Sequence, residues 1–337
     1  MQHIKINNLA LKIVKKIIGN KDYYKAEITK LNNDSTVVDM TNASWLGGKL
    51  VAEICMGGLG TLNFTSFNLE GYYLPAVNVY TSEPIISCMA SQLAGWSVKL
   101  KKEVEKNGEL KKKVIFQSLG SGPARAKAKT EKIFEEINYI DDSDCAIIIF
   151  ETRKMPNEEV MAIVSEKCNV SPENTYAICA PTACLTGSIQ VAARIVETGI
   201  HKLHEIHFPL EVIKNGFGTT SIAPIVADDF AAMGTTNDSI IAGGKTFYTI
   251  DVDKEREDDL FNLLRKAPAN QSPSYGKPFN IIFKEAGYDF YKIDPGLFAP
   301  AIYTVNNIKT GKSLTVGSLN YELLKNSFGF NYNLTFF

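Results

Sequence analysis

Hydrophobic positions change period several times along the chain, and those changes mark out its elements. Near the start, Ile6, Leu9, Leu11, Ile13, Val14, Ile17 and Ile18 form a broad apolar face at helical spacing. Short strands are predicted near Tyr24–Thr29 and Ser35–Met40, joined at Asn32-Asn33-Asp34. A helix near Leu46–Cys55 ends at Gly57-Gly58, and strands follow near Thr61–Phe67 and Leu74–Tyr80. Ser82-Glu-Pro-Ile opens another helix, with Ser82 as its cap and Pro84 in its first turn. Ser97–Glu105 and Glu109–Gln117 flank Asn107-Gly108, a strong hairpin signal. The lysines on both arms read either as a nucleic-acid patch or, more simply, as the solvated face of that hairpin.

The middle of the chain alternates differently. Asp144–Glu151 is a buried-looking strand, Asn157–Cys168 an amphipathic helix and Thr175–Ala180 a second strand. Pro181-Thr182 then leads into one long helix. This β-α-β-α order favours a locally parallel sheet layered with helices. A helix is predicted at Glu255–Lys266, and the Pro- and Ser-rich stretch Ala267–Lys277 reads as a boundary or a rim loop. Beyond it, short strands mix with a helix near Asn320–Asn326. No internal repeat is found. The expected fold class is α/β with α+β character: two subdomains of mixed sheets layered with helices, with a substrate cleft between them. An N-terminal α+β subdomain over 1–130 and a C-terminal α/β subdomain over 131–337 are expected, with a discontinuous division left open.

Composition narrows the classes. Of 337 residues, 45% are hydrophobic and 22% charged, which is a folded chain long enough for one large or two ordinary domains. The net charge of −1 provides no global attraction to nucleic acid or to an anionic membrane. The first eight residues lack the apolar run of a signal peptide, and runs such as Ala146–Phe150 are far too short to span a bilayer. Six scattered cysteines without a Cys-x-x-Cys pair read as buried free thiols of a reducing cytoplasm.

The candidate chemistry centres on the long predicted helix. Leu185, Ile189, Ala192, Val196, Ile200 and Leu203 make its core stripe. Arg194, Glu197, His201 and His204 fall in a wedge of roughly 80° outside that stripe, facing solvent or a cleft. Arg194 and Glu197, three apart, are either a surface ion pair or a guanidinium holding a carboxylate ionised as a base for water. Gly199 could end the helix at that point. His201, His204 and His207 have the spacing of a metal site, but on a continuous helix His207 turns towards the core, about 120° away. Gly120-Ser-Gly-Pro-Ala-Arg125 is either an anion cradle, with backbone N–H groups and the forked Arg125, or an ordinary strand-to-helix turn. Asp228-Asp229 and Asn237-Asp238 are either loop carboxylates that grip an amino-substituted heterocycle or turn formers.

Taken in order, these segments closely resemble the methenyltetrahydromethanopterin cyclohydrolase family. The resemblance runs over roughly 5–250. It is carried by Ile54-Cys-Met-Gly-Gly-Leu-Gly60, Leu74-Pro-Ala-Val77, Ser91-Gln-Leu-Ala-Gly-Trp96, Gly120-Ser-Gly-Pro-Ala-Arg-Ala126 and Ala180-Pro-Thr182. It continues through Gly187-Ser-Ile-Gln190, Arg194-Ile-Val-Glu197, His201-Lys-Leu-His204, Ala223-Pro-Ile225, Asp228-Asp229, Ala232-Met-Gly234, Asn237-Asp238 and Gly243-Gly244. Cys184 and His207 lie outside the pattern. The resemblance implies a cytoplasmic enzyme of one-carbon metabolism and methanogenesis, a homotrimer with its pterin between subdomains. It would interconvert the methenyl and N5-formyl forms of tetrahydromethanopterin by adding or removing water, with no metal and no cofactor. Glu197 and Arg194 take the positions of the family's catalytic pair. Substrate contacts are expected from Gly120, Ser121, Gly122, Arg125, Gln190, His201, Asp228 and Asp229. The competing expectation is a non-catalytic pterin- or anion-binding protein on the same scaffold.

Overall fold

The computed structural model describes residues 4–106, 109–289 and 292–330. The strands among them are, in chain order, β1 (Glu27–Lys30), β2 (Thr36–Asp39), β3 (Gly60–Leu69), β4 (Tyr72–Thr81), β5 (Trp96–Lys106) and β6 (Glu109–Ser121). They continue with β7 (Ala146–Glu151), β8 (Thr175–Ala180), β9 (Ile213–Ser221), β10 (Lys245–Ile250), β11 (Ile302–Asn307) and β12 (Ser313–Gly317). The chain divides into two units. One comprises Met1–Leu59 and Met89–Gly187, the other Gly60–Cys88 and Ser188–Phe337. The division is discontinuous, and none of its three crossings falls at the expected 130/131 position or in Ala267–Lys277. Ala267 and Ala269 are fully buried, while Asn270, Gln271, Pro273, Gly276 and Lys277 are exposed, so the stretch is anchored at its start and open to solvent beyond it.

The first unit holds a six-stranded mixed sheet in the order β1-β2-β8-β7-β6-β5. β8 runs parallel to both β2 and β7, as the β-α-β reading expects, and the remaining pairs are antiparallel. The uninterrupted apolar run of β7 has a simple cause. Ile147 and Ile149 pack with Val14 and Ile17 of the Ile6–Gly19 helix and with Val51 and Ile54 of the Trp45–Cys55 helix. Ala146, Ile148 and Phe150 pack with Val160, Met161 and Val164 of the Glu158–Cys168 helix. A strand covered on both faces has no reason to alternate. The β5–β6 hairpin is paired through Lys106 and Glu109, and its Asn107-Gly108 turn lies outside the described residues. β6 meets β7 through Gly120 and Ser121 alone. The outer hairpin therefore stands clear of the sheet, and consecutive residues such as Lys111 to Val114 are exposed. The expectation of one solvated face is corrected there to two.

The second unit has its own mixed sheet, β12-β11-β10-β9-β4-β3, parallel only between β10 and β11. Leu323, Leu324 and Phe328 of the Tyr321–Phe328 helix pack on Phe67, Leu69, Leu74 and Ala76 from β3 and β4. Part of the sheet remains open. Tyr80, Phe217 and Phe247 are register partners across β4, β9 and β10, and all three are at least 40% exposed. The segment expected to be a helix from Ser82 is instead π-helical, Ile85–Gln92, and Thr81 rather than Ser82 accepts a backbone bond there, from Glu83 N.

Candidate functional site

The long helix is two helices, Leu185–Ala192 and Ile195–Glu205. Gly199 does not end the second one, which runs on for six more residues. Arg194 is its N-cap residue, with φ −76° and ψ 0°, and its carbonyl accepts from Thr198 N at 2.7 Å. Glu197 consequently occupies the first turn. Helix N–H groups without intrahelical partners lie there, and their partial positive charge favours an anion. Arg194 Nη1 and Glu197 Oε2 are 3.7 Å apart, with side chains only 11% and 6% exposed. This is no surface ion pair. Burying two charges costs desolvation that their attraction only partly offsets, so such a pair is poorly explained by stability alone. One turn earlier, Gln190 is buried and its Oε1 has no hydrogen-bond partner among the described residues.

Glycines set how deeply this helix sits. A Cβ on Gly216 would lie 2.6 Å from Val196 Cγ1, and one on Gly218 would lie 2.8 Å from Ile195 Cγ2. A Cβ on Gly244 would lie 2.6 Å from Ile195 Cδ1. Ile195 and Val196, the two residues between Arg194 and Glu197, are thus pressed against a floor of glycine backbone. Beneath the helix, fully buried Tyr248 on β10 donates to Val196 O at 2.8 Å. Sequence reasoning missed Tyr248 and this floor; the signal was Gly-Phe-Gly at 216–218, which reads as a turn and is the middle of a central strand.

The histidines separate. His201 Nε2 and His204 Nδ1 both approach Glu205 Oε1, at 3.8 and 4.0 Å. His207 lies past the helix end with φ +61°, and it is exposed because Phe208 takes the inward position. The expectation that His207 turns to the core is corrected. Among the described residues no group of three His, Cys, Asp or Glu is arranged to hold a metal ion.

The two segments expected as anion or pterin grips have these surroundings. Gly120, Ser121, Gly122 and Arg125 are buried in the first unit. Gly122 N donates to Ser91 O at 2.8 Å, and a Cβ there would meet Ile149 Cδ1 at 2.2 Å. The Ser121 hydroxyl faces Cys55 Sγ at 3.3 Å. Arg125 is fully buried: Nε and Nη2 grip Glu131, Nη1 donates to Met89 O and Ser91 O, and the guanidinium lies over Phe134. This is an internal brace, with its charge matched inside the unit, rather than an outward-facing cradle. Asp228 and Asp229 do not lie in a loop. They start the Asp229–Gly243 helix, where Asp228 Oδ1 caps Ala231 N at 2.8 Å and Asp229 lies in the first turn. Asp238, in the middle of that helix, is buried with its carboxyl pushed up to about 7 by desolvation.

A family model described as "Cyclohydrolase (MCH)" matches residues 5–328. The chain belongs to the methenyltetrahydromethanopterin cyclohydrolase family. A cyclohydrolase of that name from Methanocaldococcus jannaschii is 43% identical over 333 residues, covering 97% of this chain and 98% of the relative. Those of Methanothermobacter marburgensis and Methanococcoides burtonii are 42% and 39% identical, each over 97% of this chain and 99% and 98% of their own. Cyclohydrolase similarity therefore extends well past 250, where the resemblance read from motifs faded, and takes in β11, β12 and the Tyr321–Phe328 helix of the second unit.

Proposed function

We propose that the chain hydrolyses the methenyl bridge of 5,10-methenyl-tetrahydromethanopterin, reversibly, to the 5-formyl form. The observation that carries this reading is the buried Arg194–Glu197 pair at a helix N-terminus, in a chain of this family. The bridge is a cationic N–CH–N amidinium, so its carbon is already electrophilic. Water adds to that carbon and gives a proton to Glu197, acting as general base. Glu197 returns the proton to N10 as the C–N10 bond breaks. The remaining hydroxyl proton leaves to solvent as the formyl C=O forms. Arg194 keeps Glu197 ionised and oriented between turnovers. This chemistry calls for no metal and no cofactor.

Gln190 supports a pterin contact: a buried carbonyl without a partner among the described residues suits a ring N–H or amino donor. His201, one turn beyond Glu197 on the same helix and partly exposed, completes the proposed lining. The exposed aromatic row of Tyr80, Phe217 and Phe247 supports self-association, for which the homotrimer is our proposal. Six buried free thiols support a cytoplasmic location, and among the described residues no helix is long and apolar enough to cross a membrane.

The test is loss of the methenyl absorbance on adding protein, with the folate analogue as control. Glu197→Gln is expected to lower kcat at least about 10²-fold with an unchanged circular dichroism spectrum. Near-parental turnover in that variant would falsify the mechanism.

A further inference from the structure

Two buried phenols reach up from neighbouring strands to the Ile195–Glu205 helix. Tyr248 on β10 donates to Val196 O at 2.8 Å, and Tyr303 on β11 donates to Gly199 O at 3.4 Å. Both rings are fully buried, and burial holds both hydroxyls well above their ordinary pKa, so they stay protonated donors. A carbonyl oxygen has two lone pairs, so Val196 O accepts from Tyr248 without giving up its helical partner. The Tyr248 hydroxyl occupies the space where a side chain at 199 would be: a Cβ on Gly199 would lie 2.0 Å from Tyr248 Oη. Gly199 is thus a seat for Tyr248 rather than a helix terminator. Val196 is the residue immediately before Glu197. Its side chain rests on Gly216, and the same glycine lies against the Tyr248 ring, with a would-be Cβ 3.3 Å from Cε1. The backbone that carries Glu197 is held at one carbonyl by Tyr248 and through the two Val196 methyls, which rest on Gly216 and Gly218.

We infer that Tyr248, seated on Gly199, is a positioning residue that fixes the height and rotation of the Arg194–Glu197 turn for attack by water. The inference rests on the functional reading above. Tyr248 does not touch the reacting atoms. It acts through the backbone beside Glu197, where a displacement of about 1 Å is enough to cost roughly 10²-fold in rate.

The experiment is steady-state hydrolysis of the methenyl pterin by parent, Tyr248→Phe, Gly199→Ala and the double variant, each checked for folding by circular dichroism. Tyr248→Phe keeps the ring and removes one hydroxyl. It is expected to lower kcat by about tenfold or more while KM stays within about twofold. Gly199→Ala is expected to lower kcat further, because its methyl displaces the phenol. In the double variant the hydroxyl is gone and the nearest remaining atom is Tyr248 Cζ at 3.1 Å, so Gly199→Ala adds little to Tyr248→Phe, and the two losses are non-additive. A merely structural role would lower the melting temperature of both variants and leave kcat of the folded fraction intact. That result, or strictly additive losses, overturns the inference. Should Tyr248→Phe fold poorly, Gly199→Ala read against the parent tests it through a different atom: a Gly199→Ala variant that stays folded and keeps its kcat overturns the inference. A parent without turnover overturns the functional reading and this inference together. An active parent whose Tyr248→Phe variant keeps its kcat overturns the inference alone.

Discussion

Arg125 and Arg194 illustrate how little a side chain's identity says about its work. Both were candidates for the site, Arg125 to hold an anionic group of a ligand and Arg194 to keep Glu197 ionised. Arg125 is wholly enclosed, with Glu131 and two carbonyls around its guanidinium. Removing it leaves a largely buried carboxylate and two carbonyls without their donor. Arg125→Ala is therefore expected to cost about 3–5 kcal/mol, or roughly 10 °C in melting temperature, with KM for the methenyl pterin unchanged in the protein that remains folded. Calorimetry and steady-state kinetics check this; an unchanged melting temperature with a raised KM would restore the ligand-anchor reading. The difference between the two arginines was not legible in their local sequence. Arg125's acidic partner is only six residues on, but the carbonyls of Met89 and Ser91 are brought in by the tertiary fold. The Arg194–Glu197 pair was legible as a pair. Its burial was not, because the glycine floor that receives it is built from Gly216, Gly218 and Gly244, well downstream in the chain.

At the scale of elements, β-branched and apolar runs were readable almost to the residue, as at β8, because strands buried in a sheet need that composition. The elements that went unread fail that rule for physical reasons. β9 carries Gly216 and Gly218, whose lack of side chains admits the helix above. The Asp229–Gly243 helix is buried along most of its inner turns and mixes Gly, Thr and Ser among its apolar residues, so it has no polar face to set a period. The break at Ala193–Arg194 has no Gly or Pro to announce it and coincides with the seating of Ile195 and Val196. Asp238 ties three helices together: its carboxylate accepts from Phe279 N at 3.0 Å and from Ser327 Oγ at 2.6 Å. Its native pKa is raised to about 7 against 3.8 for the free side chain. Between those values the native state holds a proton that the unfolded state has released, so stability falls as pH rises from about 4 to 7 and levels off outside that window. Asp238→Asn has no proton to lose. Its urea midpoint relative to the parent is expected to shift in the variant's favour between pH 5 and 8, by the equivalent of about 1–4 kcal/mol. A pH-independent difference would sink this account.

For the whole molecule, chain order and spatial unit are decoupled. The first unit's central strands β7 and β8 come after residue 145, and β4 of the second unit comes long before its neighbour β9. A fragment of residues 1–130, the division that the order of predicted elements suggested, would contain β2 and β6 without the two strands that separate them, and β3–β4 without β9. It is expected to lack dispersed amide resonances and cooperative unfolding; a fragment that melts cooperatively would show that the strand order is wrong.

The cysteines carry a consequence of that decoupling. Cys55, Cys145, Cys168, Cys179 and Cys184 belong to the first unit, Cys88 to the second, and all six are buried free thiols. A thiol shielded from solvent reacts with an alkylating reagent only when its surroundings open. The native chain therefore carries a built-in set of clocks: a pulse of iodoacetamide followed by peptide mass spectrometry times the opening of each unit separately, with Cys88 as the single reporter for one and five thiols for the other.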